Sequence, residues 1–217
     1  MKLIGIPVSP FVRKVILVLE EHGIDFENDP SVSPLSVPEG YREKYHPLGK
    51  IPALEDGDFC LADSSAIIAY INDKFPEKEI FSKDIQTKAK SLWIEEYCDT
   101  KVAGELTGVI FFQRIVRGKI MKQEYDEGLV NNAIENSAPP IFDYLSSVLG
   151  DQQYLLGDTY STADMALLSQ LVALSYGGFH IDSMQWPKLA AYVDNLKSLP
   201  SVQRVLSAEQ EILAEFV

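Results

Sequence analysis

Gly49-Lys50-Ile51-Pro52-Ala53-Leu54-Glu55-Asp56-Gly57-Asp58-Phe59-Cys60-Leu61-Ala62-Asp63-Ser64-Ser65-Ala66-Ile67 is the stretch on which the fold turns. Two short apolar runs between Ile51 and Leu61 flank Asp56-Gly57, and an Asp-Gly pair so placed signals a hairpin turn. A helix is expected next, from Ser64 to Phe75, with Ile67, Ile68 and Ile71 on one side and Pro76 stopping it. Upstream, Met1 to Ile6 reads as a short strand. Phe11 to His22 reads as a helix striped by Phe11, Val12, Val15, Ile16 and Leu19, with Gly23 in the C-terminal cap position. Asp25 to Glu27 is expected to form a second strand. Asp29 to Gly40, with three prolines and three serines, is expected to be a loop. The resulting order, β-α-β-α-β-β-α with a right-handed crossover after the first strand, describes a small sheet covered by helices.

Past the polar Pro76-Glu77-Lys78-Glu79 the pattern changes to helices only. Long ones are expected from Asp84 to Arg117 and from Gln123 to Leu149. Shorter ones run from Ser161 to Tyr176 and from Pro187 to Leu199, with a last one after Pro200. Gly104 and Gly108 interrupt the first, and each costs about 1 kcal/mol against Ala, so a bend or close packing is expected there. Two domains follow: residues 1–78 mixed α/β, and residues 84–217 all-helical.

Composition narrows the function. A net charge of −13 argues against nucleic acid, whose phosphates need clustered Lys and Arg, and against anionic membrane surfaces. No apolar run approaches the roughly 20 residues of a membrane span. The opening Met1-Lys2-Leu3-Ile4-Gly5-Ile6-Pro7 lacks a signal peptide's apolar region, so a cytoplasmic protein is expected. Cys60 and Cys98 form no C-x-x-C and no zinc pattern, and read as buried, reduced thiols.

Four local features point to one small ligand. Ser9 precedes Pro10 where a strand hands over to a helix, and a helix N-terminus favours an ionised thiol. The Ser9 hydroxyl could donate to such a thiolate, or simply cap the helix. Pro52 opens a strand: if its bond to Ile51 is cis, the Ile51 backbone groups turn outward toward a peptide-like ligand; otherwise it is an ordinary edge proline. Asp63 and Ser64 stand at another helix start, as caps or as a pocket for an amino-acid head group. Lys50 could pair with a second carboxylate, or be merely solvated. A ligand with a thiol, a peptide backbone, an α-amino-acid end and another carboxylate meets all four demands, as glutathione does.

Ser9-Pro10-Phe11-Val12-Arg13-Lys14-Val15, His46-Pro47-Leu48-Gly49-Lys50-Ile51-Pro52-Ala53-Leu54, Asp63-Ser64-x-Ala66-Ile67 and Gly157-Asp158-x-x-Ser161-x-Ala163-Asp164 resemble, in order and spacing, the soluble glutathione S-transferases. Ser161 and Asp164 also read as a capping box. The resemblance spans essentially the whole chain and is to serine-type, bacterial-like members. It implies a thioredoxin-like N-terminal domain, glutathione as co-substrate, contacts at Lys50, Ile51, Pro52, Asp63 and Ser64, and Ser9 as the thiol-activating residue. It further implies a homodimer and a detoxifying role; a polar residue of the partner's first long helix would reach the glutathione, and Asp99 reads either as that residue or, more simply, as a solvated helix charge. Asp63 stands where many members have Glu, and Ser9 where other classes have Tyr or Cys. The expected reaction is attack of the thiolate on an electrophilic, apolar small molecule; Phe11, Val109-Ile110-Phe111-Phe112 and Ile115 could line its pocket, although an apolar helix face of this kind is more often core. A glutathione-dependent isomerase or peroxidase and a non-catalytic binding protein are the alternatives.

Overall fold

The computed structural model describes residues 1–214 and divides into two compact units, Met1–Lys83 and a second from Asp84 onward. In the first, strands β1 (Lys2–Ile4), β2 (Glu27–Asp29), β3 (Ala53–Asp56) and β4 (Phe59–Ala62) form one sheet in the order β2-β1-β3-β4. β2 runs parallel to β1, while β3 and β4 are antiparallel to their neighbours. Helices α1 (Pro10–Glu21) and α3 (Ser64–Lys74) pack on each other, and a short α2 (Tyr41–Lys44) lies in the connection to β3. Leu3, Val12, Val15, Leu19, Leu54, Ile67, Ile68 and Ile71 are fully buried, so the stripes read from the sequence are the core faces.

Several boundaries of this unit differ from the sequence reading. Helix α1 begins at Pro10 rather than Phe11, since proline's fixed φ and missing N–H suit a first turn. The second strand is Glu27–Asp29, not Asp25–Glu27. This polar strand is held through its side chains: Asn28 Nδ2 donates to the Leu3 and Gly5 carbonyls, each at 3.2 Å, and Lys2 Nζ lies 3.1 Å from Asp29. The Pro76 stop is a single 3₁₀ turn, Pro76–Lys78.

The second unit is helical. A first run passes through α4 (Ile85–Tyr97), a π-helical stretch (Cys98–Thr107), α5 (Gly108–Phe111) and a second π-helical stretch ending at Ile120. Gly108 sits in this run where a Cβ would come within 2.9 Å of the Ala103 carbonyl, whereas Gly104 faces open space. Close packing therefore holds for one glycine only.

The next run starts at α6 (Glu127–Asn132), not at Gln123. Arg117 Nε donates to the Glu124 carbonyl and Gln113 accepts from the Asp126 N–H, so the chain turns there before the Asp126 carboxylate caps α6. A wide turn, Ala133–Ser137, carries the helix into α7 (Ala138–Leu149), whose Pro139 and Pro140 offer no N–H to the preceding turn. α8 (Thr162–Tyr176), α9 (Pro187–Lys197) and α10 (Pro200–Ala214) complete the unit.

α8 is buried almost along its whole length, and its start is fixed by the expected capping box. Asp164, fully buried, accepts from the Ser161 N–H (2.9 Å), the Ser161 hydroxyl (2.7 Å), the Leu155 N–H (2.8 Å) and the Tyr192 hydroxyl (2.7 Å). Burial raises its pKa in spite of these bonds. No helix among the described residues is long and apolar enough to cross a membrane.

Candidate active site

The sheet register gathers the predicted residues. Ile4 at the end of β1 pairs with Ala53 at the start of β3, and Ala53 pairs with Ala62 at the end of β4. The segments outside this one row are Gly5–Ser9, Lys50–Pro52 and Asp63–Ser64. Three stretches far apart in sequence thus leave the sheet at the same edge. A one-residue slip of β3 would invert its side chains, so the buried faces of Ala53 and Leu54 hold this row in place.

Ser9 is the N-cap of α1 in extended conformation (φ −67°, ψ 127°), and its carbonyl accepts from the Arg13 N–H at 2.8 Å. Its hydroxyl makes no capping hydrogen bond. Of the two readings, a simple cap is therefore the one the geometry disfavours. The hydroxyl stays available, half-buried, beside first-turn N–H groups that have no acceptor within the helix. Gly5 lets this loop approach: with φ +142°, a Cβ there would meet Val12 Cγ2 at 2.7 Å and Ile51 Cβ at 3.0 Å.

The Ile51–Pro52 peptide is cis, and Ile51 lies just outside the ladder, which begins at Ala53. Lys50 is exposed, and the Tyr41 hydroxyl donates to its carbonyl at 2.8 Å. Tyr41 is buried, and burial pushes its pKa up to about 12, keeping it a donor. The Arg42 guanidinium packs where a Cβ of Gly49 would stand. Tyr41, Arg42 and Gly5 thus support the row, roles that the sequence pattern alone does not announce. A lone aromatic after a polar, proline-rich loop was the available signal for Tyr41.

Asp63 is the N-cap of α3 with φ +75°, and its Oδ1 accepts from the Ser65 and Ala66 N–H groups at 3.0 and 3.1 Å. The capping reading is correct for Asp63. Because both bonds fall on Oδ1, the exposed carboxylate still offers Oδ2. Ser64 is buried, so of this pair only Asp63 stands open to solvent. Lys14, on α1, donates from Nζ to Ser65 Oγ at 3.1 Å and ties the two helix starts together.

Other expectations fare unevenly. Ile110 and Ile115 are buried, with Ile110 against Gly177, and belong to the helical core; Phe112 is exposed. Cys98 is buried, but Cys60 on β4 is only half-buried. Asp99 is half-buried at the start of the first π-helical stretch.

A four-stranded sheet carrying a cis-proline beside two helix starts, followed by an all-helical unit, defines a thioredoxin-like domain joined to a glutathione-transferase-type helical domain. Residues 3–79 match the family model described as the glutathione S-transferase N-terminal domain, and residues 111–209 match the C-terminal domain model. The chain belongs to the glutathione S-transferase family. It is 32% identical over 209 residues to a glutathione S-transferase of Triticum aestivum, covering 96% of this chain and 93% of that protein. Among solved structures it resembles glutathione transferase F7 from Populus trichocarpa (TM-score 0.82, 26% identity, 96% and 98% of the two chains). It also resembles a glutathione S-transferase-I bound with lactoylglutathione (TM-score 0.81, 25% identity, 95% and 98%).

Proposed function

We propose that this chain uses glutathione as co-substrate and transfers its sulfur to an electrophilic, apolar small molecule, with Ser9 activating the thiol. The observation that carries the reading is the Ser9 hydroxyl, placed at the N-cap of α1 and not consumed by capping. A sulfur resting there faces the positive end of the helix and one hydroxyl donor, and both favour the thiolate over the thiol. The tripeptide lies along the row Ile4–Ala53–Ala62. Ile51 and Pro52 flank its peptide backbone, and Lys50 pairs with its glycyl carboxylate. Asp63 Oδ2 takes the γ-glutamyl ammonium, and the Ser64 backbone and hydroxyl take the adjoining carboxylate once the ligand settles against α3.

The chemical step then needs no further protein base. The thiol proton leaves to solvent on binding, the sulfur lone pair forms the new carbon–sulfur bond, and the leaving group departs with its electron pair. The protein contributes a larger fraction of nucleophile at neutral pH, together with proximity. Ser9→Ala should lower kcat/KM for a generic aryl halide by roughly 10–100-fold, about 1.4–2.7 kcal/mol of transition-state stabilisation. The absorbance of bound thiolate, titrated against pH, should move to higher pH in the same variant. Full activity in Ser9→Ala would sink the assignment.

A homodimer is part of the same reading. Leu92 and Trp93 are 40% and 57% exposed on α4, beside Tyr97 and Tyr144, whose rings lie 4.7 Å apart. Such an aromatic, apolar face on a domain surface suits a second copy of the chain. Light scattering on the native protein tests this, and a monomer at micromolar concentration would refute it.

A further inference from the structure

The helical unit contains a partly open cavity of about 230 Å³ between the end of α8, the 177–183 loop and α9. It exceeds the roughly 150 Å³ that accommodates benzene in an engineered apolar cavity. Leu171, Leu174, Phe179 and Val193 supply an apolar floor. The rim is polar and carries both signs, with His180 from the loop and Asp194 and Lys197 from α9. Asp194 and Lys197 are three residues apart on one helix, yet neither forms an ion pair among the described residues. Ser175 also lines the cavity, and its hydroxyl donates to the Val172 carbonyl at 2.7 Å, which leaves the oxygen able to accept.

We propose that this cavity binds a free apolar α-amino acid, with the side chain on the floor and the zwitterionic head group on the rim. The ligand carboxylate pairs with Lys197 and the His180 imidazole, and its ammonium with Asp194 and Ser175 Oγ. Two arguments select a zwitterion over a simple carboxylate. A carboxylate alone would leave Asp194 facing an anion, whereas the zwitterion uses both unpaired charges. The chain also carries a net charge of −13, a field that opposes an anion and leaves a net-neutral ligand unaffected. Every lining residue belongs to the helical unit, and none is shared with the glutathione row.

The test is calorimetric titration of the full chain with L-phenylalanine, 3-phenylpropionate and phenethylamine. L-phenylalanine should bind saturably and more tightly than either single-charge analogue. Lys197→Met should weaken it by about tenfold, as the loss of one charged hydrogen-bonding partner implies. Asp194→Asn should weaken L-phenylalanine while leaving 3-phenylpropionate unchanged or tighter. Ala190→Trp, which fills the cavity from its half-buried edge, should abolish binding. Far-UV circular dichroism melting of the same samples should match the parent in all three variants and so certifies the fold of the helical unit, and glutathione affinity should be unchanged because no glutathione-row residue is altered. Absence of saturable binding, tighter binding of 3-phenylpropionate than of L-phenylalanine, or indifference to both charge substitutions would each overturn the proposal.

Discussion

The α/β unit and the helical unit place polar groups by opposite means. In the first, the proposed ligand-binding groups stand at element ends: Ser9 before α1, Ile51 before β3, Asp63 before α3. Backbone register sets their positions, and the side chains remain at least partly uncommitted. In the second, Asp164 is buried under four hydrogen bonds and spends its carboxylate on holding α8, the Leu155 turn and α9 together. The element ends of the α/β unit keep polar groups free for a ligand, whereas Asp164 at the start of α8 is consumed for stability. Substitutions should therefore separate activity from folding according to whether the polar group they remove is free or already committed.

The largest effect belongs to the consumed group. Asp164→Ala strands the Ser161 N–H, the Leu155 N–H and the Tyr192 hydroxyl, and each buried donor left unpaired costs about 1–3 kcal/mol. A total loss on the order of 3–5 kcal/mol is expected. Both tryptophans, Trp93 and Trp186, lie in the helical unit, so urea unfolding followed by tryptophan fluorescence reports this loss directly. An unfolding free energy within about 0.5 kcal/mol of the parent's, the usual range for surface substitutions, would show that the network is redundant.

Gly5→Ala comes next and acts through the backbone alone. The new Cβ meets Val12 and Ile51 and must be held at φ +142°, so strain and overpacking together cost about 2–4 kcal/mol. Relief of the clash displaces the loop that carries Ser9. Activity should consequently fall by more than the stability loss explains, with kcat reduced as well as KM raised. A variant that is destabilised yet fully active would mean that the Ser9 loop is not register-controlled.

Tyr41→Phe removes a single hydrogen bond, from the buried phenol to the Lys50 carbonyl, worth about 0.5–1.5 kcal/mol. If Lys50 holds the ligand, KM for glutathione should rise a few-fold while kcat stays level. A change in kcat alone would separate Tyr41 from the binding row.

The same contrast explains what the sequence revealed. The hairpin, α1 and α3 were legible because apolar period and turn residues agreed with the final packing: Ile67, Ile68 and Ile71 are all fully buried. The site row was legible because caps and prolines mark element ends. β2 was misplaced because Glu27, Asn28 and Asp29 have poor strand propensity and are held by Asn28 and Lys2 instead. The start of α6 was misplaced because the Gln123–Tyr125 stretch looks helical, while the turn depends on Gln113 and Arg117, more than ten and six residues upstream respectively, counted to Asp126 and Glu124. The amphipathic stripe Ile110 to Ile115 could not be divided into core and surface, because periodicity marks a face without saying what covers it.

The smallest effect is a pH dependence whose sign differs between the units. In the α/β unit, Asp56 at the hairpin turn bonds Lys74 and the Tyr70 hydroxyl, and Lys74 chiefly lowers its pKa below the ordinary 3.8. Its folded form therefore releases its proton at lower pH than the unfolded chain does. The stabilisation is complete above pH 3.8 and disappears as the pH falls through the folded value. Asp164 is shifted upward by burial, so its carboxylate is less costly to bury as the pH falls from above its folded value toward 3.8. Urea midpoints by circular dichroism at pH 7 and pH 3 should bring Asp56→Asn and the parent closer together in acid. The parent's advantage over Asp164→Asn should instead widen. The Asp56 effect is small because surface ion pairs contribute little, and 1 M salt should screen most of it. If both differences moved in the same direction, the division between a half-buried, ion-paired carboxylate and a fully buried, structural one would be wrong.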